Sequence, residues 1–312
     1  AINGENRVYW DSSAWSISIG ELPELRMTNA TLSTVSSEYF LRDMEEDNIG
    51  QPTDPVNPDD PTDPDDPTDP SDPVNPDDGT AEENGQTFIE KIQQYVQEGN
   101  GAIVGKKIVL NGDVDLTGIN WTPVELRDSS LDGNGHTIRG LNLTTLENGN
   151  TGLFSVINNS TVRNLTIENV TFNLTGSATN VGALAGEVKS DTSNSSSYIE
   201  DVNIKYSSAI DIDTTYFGGL VALVDNNSTI TNSSVEGLDI SSSANISYAG
   251  GLIGGLNSGM LIGSSISADN IYADQRLAGA VAINDGTINN VSGDVIITYA
   301  NNNYNAYVGG IS

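Results

Sequence analysis

The sequence contains no cysteine and only one histidine, His136. Without cysteine the chain forms no disulfide, and this fits either a surface protein built without disulfides or a cytosolic protein. With one histidine no serine triad stands out, and the cysteine or histidine clusters that hold a metal are absent. The side chains available for catalysis are therefore few.

Basic residues are also scarce. The 312 residues include 12 lysines and arginines and 43 aspartates and glutamates, which gives a net charge of −31. An acidic field of this size repels phosphate backbones and anionic membranes, so nucleic acid is not an expected partner. It also disfavours polyanionic sugars such as pectate as substrates unless metal ions intervene. No apolar stretch approaches the roughly 20 residues needed to span a bilayer, and the chain is not expected to cross a membrane.

Proline is concentrated in residues 51–83, which contain nine of the eleven prolines and twelve acidic residues without a base. Proline every three residues disfavours helix and the like charges repel, which predicts an extended, acidic, polyproline-II-like linker. The acidic run could bind Ca²⁺ weakly, although it lacks the spacing of an EF-hand loop, and no other cofactor is indicated. Before it, residues 1–50 predict a short β-rich segment, either the tail of another domain or strands that pair with a partner.

After the linker, residues 84–312 form the predicted structured domain, which begins with a helix at 87–98. Thr87 and Glu90 have the spacing of a capping box, and Gly99 stands where a C-cap is expected. The apolar residues on one face of this helix are Phe88, Ile92, Tyr95 and Val96. Beyond the helix, short runs rich in Val, Ile, Leu and Thr alternate with Asn, Ser, Gly and Asp, which predicts an all-β domain.

Six segments of this domain share a glycine that is followed two places later by an apolar residue. The aligned glycines are Gly152, Gly182, Gly218, Gly250, Gly279 and Gly309. The apolar residues that follow are Phe154, Leu184, Leu220, Leu252, Val281 and Ile311. The glycine spacings are 30, 36, 32, 29 and 30 residues. Such a period in an all-β sequence predicts a solenoid of stacked coils, with the apolar residues forming one stack in the core.

The repeats “GLFSVINNSTVRNLTIENV” and “GGLVALVDNNSTITNSSV” resemble the GLUG repeats of bacterial cell-surface and adhesin-like proteins. The stretch “IVLNGDVDLTGINWTPVELRDSSLDGNGHTIRGLNL” resembles the entry coil that leads into such arrays. The resemblance implies a right-handed parallel β-helix, with entry coils at 102–150 and repeats at 151–312. The open end of such a solenoid must be covered, and the helix at 87–98 is a suitable cap. The acidic linker resembles spacers in surface proteins of Bacteroidetes-type gut bacteria.

Polysaccharide lyases and hydrolases often use a β-helix, so an enzyme is an alternative that the sequence must be tested against. An enzyme would use His136 as an acid or base, with Asp132 and Arg139 nearby. The alternative is that “DGNGHTI” is the recurrent turn of the entry coil, with His136 bonded locally. Acid pairs such as Asp113 with Asp115 could bind a cation or carry out acid–base chemistry, but they match the entry coil and suit a solvated face. No catalytic constellation stands out.

Tyrosine is concentrated after residue 197, and exposed tyrosines offer a surface for stacking sugars. The candidates for ligand binding are Tyr198, Tyr299 and Tyr304. The tyrosines two places before an aligned glycine are Tyr216, Tyr248 and Tyr307. These three positions have the same parity as the apolar stack, so we expect them to point inward or lie along the seam unless a corner intervenes.

The sequence therefore favours a non-catalytic surface protein, an adhesin-like or fimbria-associated stalk that presents a rigid β-helix on an extended tether. Its partner would be a host or microbial glycan or a surface protein, including a fimbrial subunit, bound by the outward flank or by the insert at 188–201. The alternatives are a β-helical polysaccharide lyase or hydrolase and a purely structural rod or fibre. An extracellular or outer-surface location is expected. A chain that starts at Ala1 without a signal sequence has lost a signal peptide or is a piece of a longer protein.

Overall fold

A computed structural model describes residues 81–144, 149–174, 178–191, 195–299 and 307–310, together with four two-residue strands near the N-terminus. The chain divides into two units, Ala1–Asp72 and Pro73–Ser312. No helix among the described residues is both long and apolar enough to cross a bilayer.

The strands of the first unit pair locally. β1 (Ile2–Asn3) pairs antiparallel with β2 (Arg7–Val8), and β3 (Trp15–Ser16) pairs antiparallel with β4 (Glu24–Leu25). Both strand pairs lie in the segment that was predicted to be β-rich. The predicted linker lies outside the described residues up to residue 80.

Helix α1 spans Ala81–Glu98 and begins six residues before the predicted start. The last three residues of the predicted linker are therefore helical, and Thr87 does not cap the helix. Gln86 Nε2 instead donates to Glu90 Oε1 at 2.8 Å, one turn along the exposed face. The predicted apolar face is confirmed, because Phe88 and Ile92 are buried.

The C-terminal end of α1 is a Schellman motif. The Gly101 amide donates to the Val96 carbonyl at 2.8 Å, and the Asn100 amide donates to the Gln97 carbonyl at 3.4 Å. Asn100 has φ 55°, so it supplies the left-handed residue that follows the helix. Gly99, which directly precedes Asn100, is the C-cap residue.

The second unit continues as short strands. The strands of its first half are β5 (Ala102–Val104), β6 (Lys107–Val109), β7 (Val114–Asp115), β8 (Asn120–Trp121), β9 (Val124–Arg127), β10 (Ser130–Asp132), β11 (Thr137–Arg139), β12 (Asn142–Thr144), β13 (Asn150–Thr151), β14 (Phe154–Asn158), β15 (Thr161–Glu168), β16 (Thr171–Asn173), β17 (Ala178–Gly182), β18 (Ala185–Lys189) and β19 (Ser197–Lys205).

The strands of its second half are β20 (Asp213–Gly218), β21 (Val221–Val224), β22 (Ser228–Thr231), β23 (Ser234–Asp239), β24 (Asn245–Gly250), β25 (Ile253–Leu256), β26 (Met260–Ile262), β27 (Ser265–Ala273), β28 (Arg276–Ala278), β29 (Val281–Asn284), β30 (Thr287–Asn289), β31 (Ser292–Tyr299) and β32 (Tyr307–Gly309).

These strands form parallel sheets in which each strand pairs with its counterparts before and after it along the chain. Sheet 1 has the order β5-β9-β14-β18-β21-β25-β29, and sheet 2 contains β6-β10-β15-β19-β22-β26-β30 with β7, β11, β23, β27 and β31 beside them. Sheet 3 has the order β13-β17-β20-β24-β28-β32, and sheet 4 is β8-β12-β16. The second unit is therefore an all-β fold of parallel sheets, as a β-helix-like architecture requires.

The pairing corrects one position of the predicted glycine alignment. Gly182, Gly218 and Gly250 are paired in register as predicted, but the next residue in this column is Ala278. The prediction for Gly279 is wrong by one residue. The column requires a small side chain, and alanine meets that requirement at this position.

The apolar stack is corrected in the same way. Leu184, Leu220 and Leu252 follow one another as predicted. The backbone amide of Leu184 donates to the Leu220 carbonyl at 3.0 Å, and that of Leu220 donates to the Leu252 carbonyl at 3.0 Å. The Leu252 amide then donates to the Ala280 carbonyl at 2.9 Å. Val281 instead pairs with Ile253 in sheet 1, one column away. Phe154 likewise belongs to sheet 1, because it pairs with Ala185. Ile311 lies outside the described residues.

A side chain is excluded at the glycines of this column because the chain turns sharply after each of them and the next backbone along the stack also lies close, with a Cβ at Gly250 only 2.9 Å from the Ala280 carbonyl oxygen. A Cβ at Gly250 would lie 1.9 Å from the Ile253 carbonyl oxygen, and one at Gly218 would lie 1.9 Å from that of Val221. The predicted role of these glycines in close backbone approach is confirmed.

A second corner, inside sheet 2, uses asparagine and aspartate. The residues that occupy it in successive strands are Asn164, Asp201, Asn232, Gly263 and Asn290, with φ between 48° and 62°. Asparagine and aspartate tolerate the left-handed conformation better than other non-glycine residues, so four of these five positions need no glycine.

The core is apolar and contains one deeply buried phenol, that of Tyr206. Its Oη donates to the Gly219 carbonyl at 2.8 Å, and its ring stacks on Phe172 with centroids 6.5 Å apart. Burial raises the pKa of Tyr206 above its ordinary value, because the phenolate would lose its hydration.

Replacing Gly250 with alanine should lower the free energy of unfolding by about 1–3 kcal/mol, because the new methyl group meets backbone that cannot move aside. Denaturant unfolding followed by circular dichroism measures the change. Gly310→Ala is the matched control, since no described residue lies within 4 Å of a Cβ there. Equal stability of the two variants would contradict the close-approach explanation.

Replacing Tyr206 with phenylalanine should cost about 1–3 kcal/mol at neutral pH, because the Gly219 carbonyl loses its donor. At high pH the difference should shrink. The folded state retains the phenol proton while the unfolded state releases it above about pH 10, so wild-type stability falls there and the variant lacks this contribution. Urea unfolding between pH 8 and 11 tests this, with the exposed Tyr198→Phe as control. A constant difference between wild type and Tyr206→Phe across that range would refute it.

Candidate functional site

A trough of about 490 Å³ lies where sheet 1 turns into sheet 2, at the start of β22, β26 and β30. One wall is an outward column of sheet 2 in which Tyr198, Thr229, Met260 and Thr287 are paired in register. Tyr198 and Met260 are 49% and 43% exposed. This wall therefore alternates large apolar surfaces with threonine side chains.

The opposite wall is formed by the corner residues Ser196, Asn227, Ser258 and Asp285. This wall is held by bonds between successive corners. Ser258 Oγ donates to Asn226 Oδ1 at 3.0 Å. Nδ2 of the neighbouring Asn257 side chain donates to the carboxylate of Asp225. The polar wall is thus fixed in position by the stacking of the corners.

Between the walls the chain carries small residues, Ser228, Gly259 and Gly286. A Cβ at Gly259 would lie 2.7 Å from the Ser228 carbonyl oxygen, and one at Gly286 would lie 2.5 Å from the Gly259 carbonyl oxygen. The corners approach too closely for larger side chains. The trough consequently stays open between its two walls over four successive strands. Because four strands span three spacings of about 4.8 Å, the trough is about 14 Å long.

The chemistry of the trough suits an uncharged polar ligand with apolar faces. Hydroxyl and amide groups line it, a tyrosine ring and a methionine side chain flank them, and Asp285 is the ionisable carboxylate among the lining residues. Aromatic rings pack against the C–H faces of a sugar while hydroxyls and amides exchange hydrogen bonds with its oxygens. The arrangement can bind such a ligand without any acid–base pair.

The tyrosines predicted as ligand-binding candidates have different outcomes. Tyr198 lies on the wall of the trough, and Ser196 from the same predicted insert lies at its edge. Tyr299 ends β31, and its side chain is outside the described part of the structure. Tyr304 lies outside the described residues, as does the middle of the insert at 192–194.

The residues of the enzyme alternative separate into two clusters. His136 Nδ1 lies 3.6 Å from Asp113 Oδ1, and Arg139 Nη2 lies 2.7 Å from Asp113 Oδ2. Asp132 instead contacts Arg163, whose Nε donates to it at 2.8 Å. Both clusters lie on outward faces of sheet 2.

Asp132 anchors the turn that follows β10. It accepts from the Asn134 amide at 2.9 Å and from Asn164 Nδ2 at 3.0 Å. Partial burial acts to raise the pKa of Asp132, but these two donors and Arg163 together lower it below its ordinary value. A general acid needs a proton near neutral pH, so this carboxylate suits a structural role better than an acid–base role.

Arg139 belongs to a column of alternating charge in sheet 2. The residues paired in register along it are Asp115, Arg139, Glu168, Lys205 and Glu236. Neighbours of opposite sign along a sheet face stabilise the pairing modestly. No group of three or more histidines, cysteines, aspartates or glutamates in the described residues could hold a metal ion, and the acidic run of the linker falls outside them up to residue 80.

A second surface feature, which we call the tyrosine–arginine column, lies on the outer face of sheet 3. It consists of Tyr216, Tyr248, Arg276 and Tyr307, paired in register. The expectation that these tyrosines share the facing of the apolar stack is wrong. A corner intervenes, since β20 ends at Gly218 and β21 begins at Val221, and parity does not carry across it.

The exposures confirm this outward orientation. Phe217 is fully buried, whereas the adjacent Tyr216 is half-buried and Tyr307 is 67% exposed. The rings of Tyr216 and Tyr248 contact each other at a tilt of 31°, with centroids 4.9 Å apart. The signal available in the sequence was the recurrence of tyrosine at one phase of the repeat, and the missing information was the position of the corner.

No protein-family model matches the chain, and no curated protein matches it. A crystal structure described as “a putative immunoglobulin A1 protease from Bacteroides ovatus” is similar over 66% of this chain and 76% of that chain, with 13% sequence identity and a TM-score of 0.40. A likeness this distant carries no argument about activity.

Replacing Asp132 with alanine should lower the free energy of unfolding at pH 7 by about 1–3 kcal/mol, because three donors lose a charged acceptor. The lowered pKa means that this contribution is present above the unfolded-state pKa of about 4 and is lost as the pH falls through the folded-state pKa. Chemical unfolding at pH 7 and below pH 4 measures both effects. Asp294→Ala, on an exposed strand position, is the control, and equal losses in the two variants at pH 7 would contradict the anchoring role.

Proposed function

We propose that this chain is a non-catalytic, adhesin-like or fimbria-associated stalk of a bacterial cell surface, whose solenoid presents the trough beside Tyr198 to a glycan. The observation that carries the proposal is the trough itself, a groove lined by hydroxyls and amides and flanked by an exposed aromatic ring. The partner is a host or microbial glycan. A surface protein, including a fimbrial subunit, is the other partner class that such a stalk would meet.

The architecture we propose is a right-handed parallel β-helix of GLUG-like repeats. Its support is that side-chain hydrogen bonds between successive coils join residues 31 or 32 positions apart, as in the pairs Ser233–Ser264 and Asn245–Asp213. Crossovers between parallel strands are right-handed in nearly all known cases. The repeat motifs in the sequence support the GLUG likeness.

Helix α1 would serve as the cap of this solenoid. Phe88 and Ile92 are buried against the core, and the Phe88 ring stacks on Trp121 with centroids 5.8 Å apart. Apolar surface at the end of a solenoid would otherwise recruit further strands. An extended acidic linker before the cap would hold the rod away from its anchor, which supports an extracellular or outer-surface location.

The enzyme alternative is less well supported by the geometry. The carboxylate next to His136 is Asp113, which already forms an ion pair with Arg139 at 2.7 Å. The trough contributes one carboxylate, Asp285, whereas glycoside hydrolysis ordinarily uses two carboxylates about 5–10 Å apart. A purely structural rod would leave the aromatic side of the trough without a function.

Replacing Tyr198 with alanine should weaken the binding of neutral glycans by about tenfold, because a stacking surface worth about 1 kcal/mol or more is lost. A glycan array identifies the ligands, and titration calorimetry measures the affinities. Tyr307→Ala, which removes an exposed tyrosine from the other face, should leave neutral-glycan binding unchanged.

Three results would count against the proposal. A wild-type chain that binds no glycan on the array would remove its basis. An equal loss in Tyr307→Ala would place the binding surface elsewhere. Release of reducing ends or unsaturated products from polysaccharides, abolished by His136→Ala, would favour the enzyme alternative.

A further inference from the structure

We infer that the tyrosine–arginine column is a second carbohydrate site, which binds the carboxylate of a single acidic sugar carried by an otherwise neutral glycan. The inference concerns a different face from the trough and does not depend on glycan binding there. It rests on the surroundings of Arg276 and on the charge of the chain.

Arg276 is the only basic residue between Tyr206 and Ser312. It is exposed, and no carboxylate of a described residue lies within the 4.0 Å of an ion pair. Arg139 and Arg163 have different surroundings, since each pairs with an aspartate at 2.7 or 2.8 Å. In a chain of net charge −31, an arginine that faces outward without such a partner is an unused cation.

Aromatic rings hold the guanidinium of Arg276 in place. Its Cζ lies 5.9 Å from the ring centroid of Tyr248 and 5.2 Å from that of Tyr307, on the two strands that flank β28. A cation–π contact on each side restricts the rotation of the guanidinium. Because Arg276 is exposed, its N–H groups can reach an acceptor from solvent.

A carboxylate is the acceptor that this geometry fits. The guanidinium presents a fork of parallel N–H donors that matches the two oxygens of a carboxylate, and such charge-assisted pairs are stronger than neutral hydrogen bonds. Ordering by the two rings lowers the entropy lost on binding. The column is therefore pre-organised for a planar anion.

The surface beside the column fits a sugar ring. A Cβ at Gly255 would lie 2.8 Å from Leu223 Cδ2 and 3.6 Å from the ring of Tyr216, so these side chains meet over a position without a side chain. The rings of Tyr216 and Tyr248, which contact each other at 4.9 Å between centroids, continue this apolar surface. A pyranose ring could lie on this surface while its carboxylate reaches Arg276.

The charge of the protein selects among acidic ligands. A polyanion would bring many charges into a field of −31 with one arginine to oppose them, and this repulsion disfavours binding. A glycan with one acidic sugar brings a single negative charge, and its ion pair with Arg276 offsets the repulsion. The predicted ligand is therefore a neutral oligosaccharide that carries one uronic or sialic acid.

The test compares 3′-sialyllactose, a glucuronic-acid-terminated disaccharide and lactose as ligands of the whole chain, by NMR titration and calorimetry at low salt. We expect both acidic sugars to bind, to bind more weakly as salt increases, and to shift the Arg276 side-chain resonance. Arg276→Gln should weaken their binding by about 10- to 100-fold, the range expected for hydrogen bonds to a charged group. Arg276→Lys, which keeps the charge and loses the fork, should retain an intermediate affinity.

Arg163→Gln is the matched control, because it removes an arginine of sheet 2 and leaves the column intact. Lactose, which carries no carboxylate, should leave the Arg276 side-chain resonance unshifted, and this separates the column from the trough. The inference is overturned if no acidic sugar binds, if Arg163→Gln causes the same loss, or if acetate or an acidic peptide competes as well as the sugars. Thermal unfolding of each variant confirms that the fold is retained.

Discussion

Parallel pairing between successive coils is the constraint on which the rest of the second unit depends. Each inner strand of these sheets hydrogen-bonds to the strand before it and the strand after it in the sheet, so most residues are opposed by residues at the same phase. Where corners come together, this spacing leaves no room for a Cβ, as at Gly218 and Gly250. The same pairing that excludes side chains inside these corners aligns the outward side chains into columns.

Both candidate surfaces are consequences of this alignment. A single tyrosine on one strand is an isolated aromatic residue, but the register places Thr229 and Met260 beside Tyr198 and makes a continuous wall. The register likewise brings Tyr248 and Tyr307 to opposite sides of Arg276, from strands that are far apart in sequence. Columns of alternating charge, such as the one through Arg139, arise in the same way and leave fewer cations unpaired.

The outward columns differ in charge along this unit. Carboxylates and bases pair with one another across its early strands, as in Asp132 with Arg163 and Asp113 with Arg139. The later strands carry hydroxyl, amide, aromatic and carboxylate side chains on their outer faces, and Arg276 is the only basic residue of the sequence after Tyr206.

The sequence by itself determined the parallel all-β class, the apolar face of α1 and the column of Gly182, Gly218 and Gly250, because these follow from local periodicity and from the requirement for small residues at close approach. It did not determine that Ala278 replaces Gly279 in that column, since two adjacent small residues satisfy the pattern equally well. It also misplaced Tyr216 and Tyr248, because strand parity holds only between corners and the corner positions depend on tertiary packing. Tertiary structure alone decided the partners of Tyr198 and Arg276 and the pairing of Asp132 with Arg163 and Asn164, since each of these partners lies on a neighbouring strand about thirty residues away in sequence.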